Sequence, residues 1–219
     1  GYFAEVARLR AMGGGREFVP ESLQNPDLEM VCVGPVSYHG HEAMEREISN
    51  FKAALNGVPV AEAFMPSVGP DNVVYQGNKY YGTQDEYTDA CAEAMRTEYQ
   101  AVIDAGFILQ IDTPVMKYDA LSMSLEDFRV RFAELVEIIN HALRGIPEDR
   151  VRIHICYGGG RGPHTGDVNL NEFVDLAMNF NAQGFSYDQD PRHEHEWEIW
   201  KDKKLPDGKV LIPGCVGHT

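Results

Sequence analysis

The feature that most constrains this chain is a regular alternation of short apolar runs with helix-period patterns. Apolar runs at residues 28–33, 58–65, 107–111, 151–157, 185–187 and 210–212 read as strands. Helical patterns separate most of them. Over 42–55, Ile48, Phe51 and Leu55 recur at helical spacing; over 84–105, Tyr87, Cys91, Met95, Tyr99 and Val102 form one stripe, with Gly106 as the stop signal. The next helix is the clearest. Ser124 and Asp127 make an N-cap pair of the capping-box type, with Asp in place of Glu, and Phe128, Phe132, Leu135, Ile138, Ile139 and Leu143 follow at spacings of three and four until Gly145 and Pro147. A further helix is predicted over 169–179. Residues 66–83 and the glycine-rich stretch 158–163 read as flexible loops.

Strands alternating with helices in this way predict βαβ units and a parallel sheet. Right-handed crossovers leave two main outcomes, an open doubly wound sheet or a closed barrel. No GxGxxG follows the first strand, so the dinucleotide-binding form of the open sheet lacks its usual mark. The polar residues able to do chemistry fall at the C-terminal ends of strands: Asp112, His154 with Cys156, Asp188, and His218. Both architectures place sites there, but a spread over four strands suits a barrel better. The expected fold class is therefore α/β, a (β/α)8 TIM barrel that is partial in this chain, with about six strands visible of the eight required. The expected organisation is a single barrel domain over residues 1–219, incomplete at both ends, since the chain begins at Gly1 and stops at Thr219 just after a predicted strand.

Charge removes several classes of partner. Acidic residues outnumber basic ones 34 to 19, for a net charge of -15, which argues against nucleic acid and against anionic membrane surfaces. No apolar run approaches the roughly 18 to 20 residues of a membrane span. The four cysteines, Cys32, Cys91, Cys156 and Cys215, are too scattered for a disulfide scaffold and suit a reducing compartment. A cytoplasmic protein is the expectation, with a homo-oligomer left open.

Four constellations carry candidate chemistry. In Arg152-Ile153-His154-Ile155-Cys156, residues two apart on a strand share a face, so His154 and Cys156 project together beside a glycine-rich loop. Imidazole and thiolate are both good zinc ligands; the bland alternative is a core histidine beside a small buried thiol. Asp112 closes the apolar strand in Gln110-Ile111-Asp112-Thr113-Pro114, as a group to hold an amine or a histidine, or as a simple turn cap. Arg192, His193 and His195 follow the fifth strand; if that segment is helical, the two histidines do not share a face and joint metal ligation fails. His218 follows Pro213-Gly214-Cys215, either as a proton shuttle or as a loop histidine.

Taken together these residues resemble the cobalamin-independent methionine synthase family, specifically its C-terminal catalytic barrel and the shorter single-barrel relatives. The carriers are Val33-Gly34-Pro35-Val36-Ser37-Tyr38, Glu98-Tyr99 with Ala105-Gly106, Leu109-Gln110-Ile111-Asp112-Thr113-Pro114, His154-Ile155-Cys156 and Ile212-Pro213-Gly214, in matching order from about Val31 onward. The resemblance implies a catalytic zinc (Zn2+) held by His154, Cys156, a carboxylate and a second cysteine. Asp188 stands where the family has its glutamate ligand; Cys215 lies one strand too early to be the last ligand. Asp112 matches the aspartate that contacts the amino group of the thiol substrate, and His218 falls near the proton-shuttling histidine.

The activity implied is methyl transfer to a small-molecule thiol such as homocysteine, forming methionine, from a folate or corrinoid donor. Two other readings stand beside it. One is alkyl transfer from a different electrophile, of the epoxide:coenzyme M type, kept open by the single-barrel size and because Thr113 replaces the family's usual acidic residue. The other is a non-catalytic barrel that binds a ligand.

Overall fold

The computed structural model describes residues 31–74, 77–114, 123–157, 167–188 and 193–215. In chain order the elements are β1 (Val31–Cys32), α1 (His41–Leu55), β2 (Phe64–Val68), β3 (Gly77–Asn78), α2 (Gln84–Asp104), β4 (Ile108–Pro114), α3 (Leu125–Ala142), β5 (Val151–Cys156), α4 (Val174–Ala177), β6 (Gly184–Tyr187), α5 (Ile199–Asp202) and β7 (Val210–Pro213). Five strands form one parallel sheet in the order β2-β4-β5-β6-β7. A doubly wound sheet reverses its strand order at a switch point; this one adds each strand beside the last. With right-handed crossovers, such an order puts every connecting helix on one face and curls the sheet toward a barrel. The architecture is thus a partial, barrel-like α/β arrangement.

Local chemistry sets the elements. The Thr83 side chain accepts from the Glu86 N–H while the Glu86 carboxylate accepts from the Thr83 N–H, a full capping box that starts α2. Ser124 accepts from the Asp127 N–H at the start of α3. The helices stop where Gly106 and Gly145 take φ of 93° and 79°, a backbone region that side chains disfavour.

Burial alternates along the central strands with the period of two that a pleated sheet imposes. Leu109, Ile111, Val151, Ile153 and Ile155 are fully or almost fully buried, on the face opposite that of their half-buried neighbours. They share one hydrophobic core with Tyr99 and Val102 of α2 and with Phe128, Phe132, Leu135 and Ile139 of α3. The other face carries Gln110, Asp112, Arg152, His154 and Cys156, all half-buried. Low on this face the Arg152 guanidinium lies 3.3 Å from the centre of the Phe64 ring, and its Nε donates to Gln110 Oε1 at 2.6 Å. Gly184 on the next strand makes room, since a Cβ there would come within 2.7 Å of the Arg152 Cβ.

Several sequence expectations change. The strand predicted over 28–33 lies outside the described residues up to 30; its described part holds β1, which pairs with β3 and not with the sheet, so among the described residues five strands rather than six line up. That pairing depends on Gly77, where a Cβ would meet Val31 Cγ2 at 2.8 Å. The stretch 66–83 is no simple loop: it holds the end of β2, a 3-10 turn at Pro70–Asn72 and β3. The strand predicted over 58–65 begins only at Phe64, where pairing with Ile108 becomes available. The helix predicted over 169–179 is a 3-10 turn, Leu170–Glu172, followed by the one-turn α4. Phe173, at φ -141° between them, is fully buried against Phe128 and Phe132, and that packing overrides the helical pattern. Among the described residues no helix is long and apolar enough to cross a membrane.

Candidate metal and substrate site

Strand register brings the site together. Asp112 on β4 is the direct neighbour of His154 on β5, and His154 is the neighbour of Ser186 on β6. Directly paired residues on parallel strands share a face, and Cys156 joins them two residues beyond His154. The carboxylate of Asp112, the imidazole of His154 and the thiol of Cys156 offer ligand atoms that all lie within 4.8 Å of one another, and each residue is half-buried. His154 Nδ1 is 3.2 Å from the Ser186 hydroxyl. That contact holds the ring by one nitrogen and leaves Nε2 on the side of Asp188.

Two carboxylates flank the ring. Asp188 Oδ1 lies 3.9 Å from His154 Nε2, too far for a hydrogen bond, while its Oδ2 accepts the Tyr157 N–H at 3.4 Å. Asp112 Oδ1 is buried with no hydrogen-bond partner among the described residues. Burial pushes the Asp112 carboxyl above its usual range; His154 opposes the shift and the nearby Asp188 adds to it. A desolvated carboxylate with an orphaned oxygen is a group in want of a cation.

The sheet end is braced from the α2 side. Glu98 accepts from the Ser67 hydroxyl at 2.5 Å and from the Tyr38 hydroxyl at 3.0 Å, and the Tyr99 hydroxyl donates to the Val68 carbonyl at 2.7 Å. Burial and the adjacent Glu98 push the Tyr38 hydroxyl up to about 12. Two of the motif segments singled out in the sequence, 33–38 and 98–99, therefore touch each other, and they meet the end of β2 next to Asp112.

The sequence-predicted residues fall into three groups. Asp112, His154 and Cys156 converge, and Asp188 stands beside His154 outside the three-donor group. His218, Arg192 and the glycine stretch 158–163 lie outside the described residues. Cys215 is exposed just past β7, and His193 and His195 part company, one buried and the other exposed. Thr113 is fully buried on the opposite face from Asp112, so its departure from the family pattern does not alter the site face. Sequence reasoning missed Ser186 and Tyr157, which contact His154 and Asp188. Ser186 was findable, being two residues before Asp188 on a predicted strand.

No family model matches the chain, and no curated protein does. Among solved structures it is similar to a protein of Listeria monocytogenes provisionally named a vitamin-B12-independent methionine synthase, at 25% identity and a TM-score of 0.53, over 83% of this chain and 54% of that one. It is also similar in fold to a B12-independent methionine synthase from Shewanella sp. W3-18-1 in complex with selenomethionine, at 18% identity and a TM-score of 0.58, over 84% of this chain and 52% of that one. The chain thus spans about half the length of each. Its fold is methionine synthase-like.

Proposed function

We propose that this chain belongs to a zinc-dependent thiol methyltransferase that makes methionine from homocysteine with a folate or corrinoid methyl donor. The observation that carries the reading is the convergence of one imidazole, one thiol and one orphaned carboxylate at the C-terminal edge of a parallel sheet. The imidazole and thiol of that group, with the Asp188 carboxylate 3.9 Å from His154 Nε2, make a mixed N, S and O set that fits a catalytic zinc better than a hard oxygen-seeking cation. A zinc ion held there would lower the pKa of a bound thiol, so that a sulfur nucleophile exists at neutral pH.

The chain's own residues have distinct tasks in this reading. His154 and Cys156 hold the metal, with Ser186 fixing the imidazole. Asp188, 3.9 Å from His154 Nε2, would supply the carboxylate ligand. Asp112, whose orphaned oxygen needs a positive partner, receives the ammonium group of the amino-acid thiol. His218 is assigned the proton for the departing donor on the family resemblance alone. With Thr113 turned away from the site, its substitution gives the epoxide-type reading no support on the site face among the described residues.

Elemental analysis tests this. Wild-type protein should carry about one zinc per chain, and His154→Ala/Cys156→Ser should lose it. Asp112→Asn should keep zinc and raise KM for homocysteine. Loss of zinc in Asp112→Asn would instead make Asp112 a ligand, and a folded, metal-supplemented wild type without zinc would end the reading.

A further inference from the structure

The turn after β6 takes no part in the chemistry above, yet it carries the most deeply buried charges described. The side chains of His193 and Glu196 are 5% and 2% exposed, and that of Asp167 is 12% exposed. His193 Nε2 lies 3.1 Å from Asp167 Oδ2, and its Nδ1 lies 3.2 Å from Glu196 Oε1, a charge contact without hydrogen-bond alignment. The His193 ring stacks flat on Tyr157, with centroids 3.9 Å apart and planes at 9°. The Tyr157 hydroxyl donates to Glu196 Oε2 at 3.3 Å, and Glu196 Oε1 also accepts the Leu170 N–H at 2.7 Å. One ion cluster therefore ties together the end of β5, the chain at 167–170 and the turn after β6.

Burial works against a charged His193, but the Asp167 hydrogen bond and the Glu196 carboxylate outweigh it and hold the ring's pKa up at about 9. The cluster is thus a cation between two anions. Sequestering ions carries a desolvation penalty that their pairing must first offset, so such a cluster is a poor way merely to join three segments. Its position gives it another use. Tyr157 follows Cys156 directly, and the Tyr157 N–H is the donor that holds Asp188 beside His154. The clamped ring thus shares backbone with the Cys156 thiol, and its residue's own N–H bonds the Asp188 carboxylate.

We propose that His193, Asp167 and Glu196 are positioning residues that grip the Tyr157 ring and so hold the Cys156 thiol and the Asp188 carboxylate in the arrangement a metal needs. This rests on the zinc reading above. The outer partners of metal ligands typically govern about 10- to 100-fold in metal affinity. His193→Gln should therefore weaken zinc binding by about that factor, measured by competition with a chelator. Tyr157→Phe keeps the stacked ring and loses only the hydroxyl's bond to Glu196, and should weaken it by a smaller factor, on the order of threefold. With Co2+ in place of zinc, the sulfur-to-metal charge-transfer band should shift in His193→Gln, a change that lost stability alone would not produce. Zinc affinity within about twofold of wild type in a folded His193→Gln would overturn the proposal. If that variant fails to fold, unchanged affinity in Tyr157→Phe would do the same. A wild type that binds no zinc removes the underlying reading, whereas a wild type that binds and variants that bind equally well remove only this one.

Discussion

His193 holds a proton in surroundings that, by burial alone, would strip it. Its folded pKa is raised from 6.5 to about 9, so the stability it contributes is complete below about pH 6.5 and is lost as pH rises through 9. Thermal unfolding followed across this window should show a falling Tm, and His193→Gln should flatten the slope. An equal slope in the variant would assign the loss to another group. The residue scale also shows what a sequence can and cannot announce. His154 and Cys156 are legible as a pair because two-residue spacing on a strand fixes a shared face, and Asp112 is legible as a carboxylate at a strand end. That Asp112 stands directly opposite His154 is not legible, because inter-strand register is set by the crossovers and not by either strand. Nor is the burial of Glu196, which sits in an acidic, histidine-rich segment that reads as solvated.

At the scale of elements, α2 shows how a few side chains specify a boundary. The reciprocal bonds of Thr83 and Glu86 satisfy backbone N–H groups that a helix start leaves unpaired. Thr83→Ala should cost about 1 kcal/mol, read as a lower urea midpoint at unchanged slope. The T-x-x-E pattern at 83–86 was present in the sequence beside the start predicted for this helix, as Ser124 and Asp127 were for α3. Long periodic helices could be read because their stripes repeat over several turns. The segment 169–179 could not, since a pattern of about three turns carries too little signal to outweigh one phenylalanine drawn into the core. β3 escaped for a similar reason: two residues have no period, and Asn78 organises its turn by accepting the Tyr80 and Tyr81 N–H groups.

The whole molecule is held along a seam between its helices and the chain that follows β5. Phe132 lies at that seam, with ring centroids 5.9 Å from Phe128, 4.9 Å from Phe173 and 6.0 Å from Phe180. It is fully buried, so Phe132→Ala should cost about 3–5 kcal/mol in urea unfolding, far more than any surface change. A cost below about 1 kcal/mol would mean the seam collapses to fill the space. The parallel sheet was legible from the alternation of patterns, and the spread of polar strand ends pointed to sequential order. The separate β1–β3 pair was not, because its pairing turns on the bare Cα of Gly77. The sequential order of β2, β4, β5, β6 and β7 also bears on how the protein is made. Each strand finds its neighbour in chain already synthesised, so a nascent polypeptide can dock one unit at a time as it leaves the ribosome. Asp112, His154 and Cys156 belong to two adjacent strands, and these three groups can therefore be assembled as soon as β5 has emerged, while β6, which brings Ser186 and leads to Asp188, is still to come.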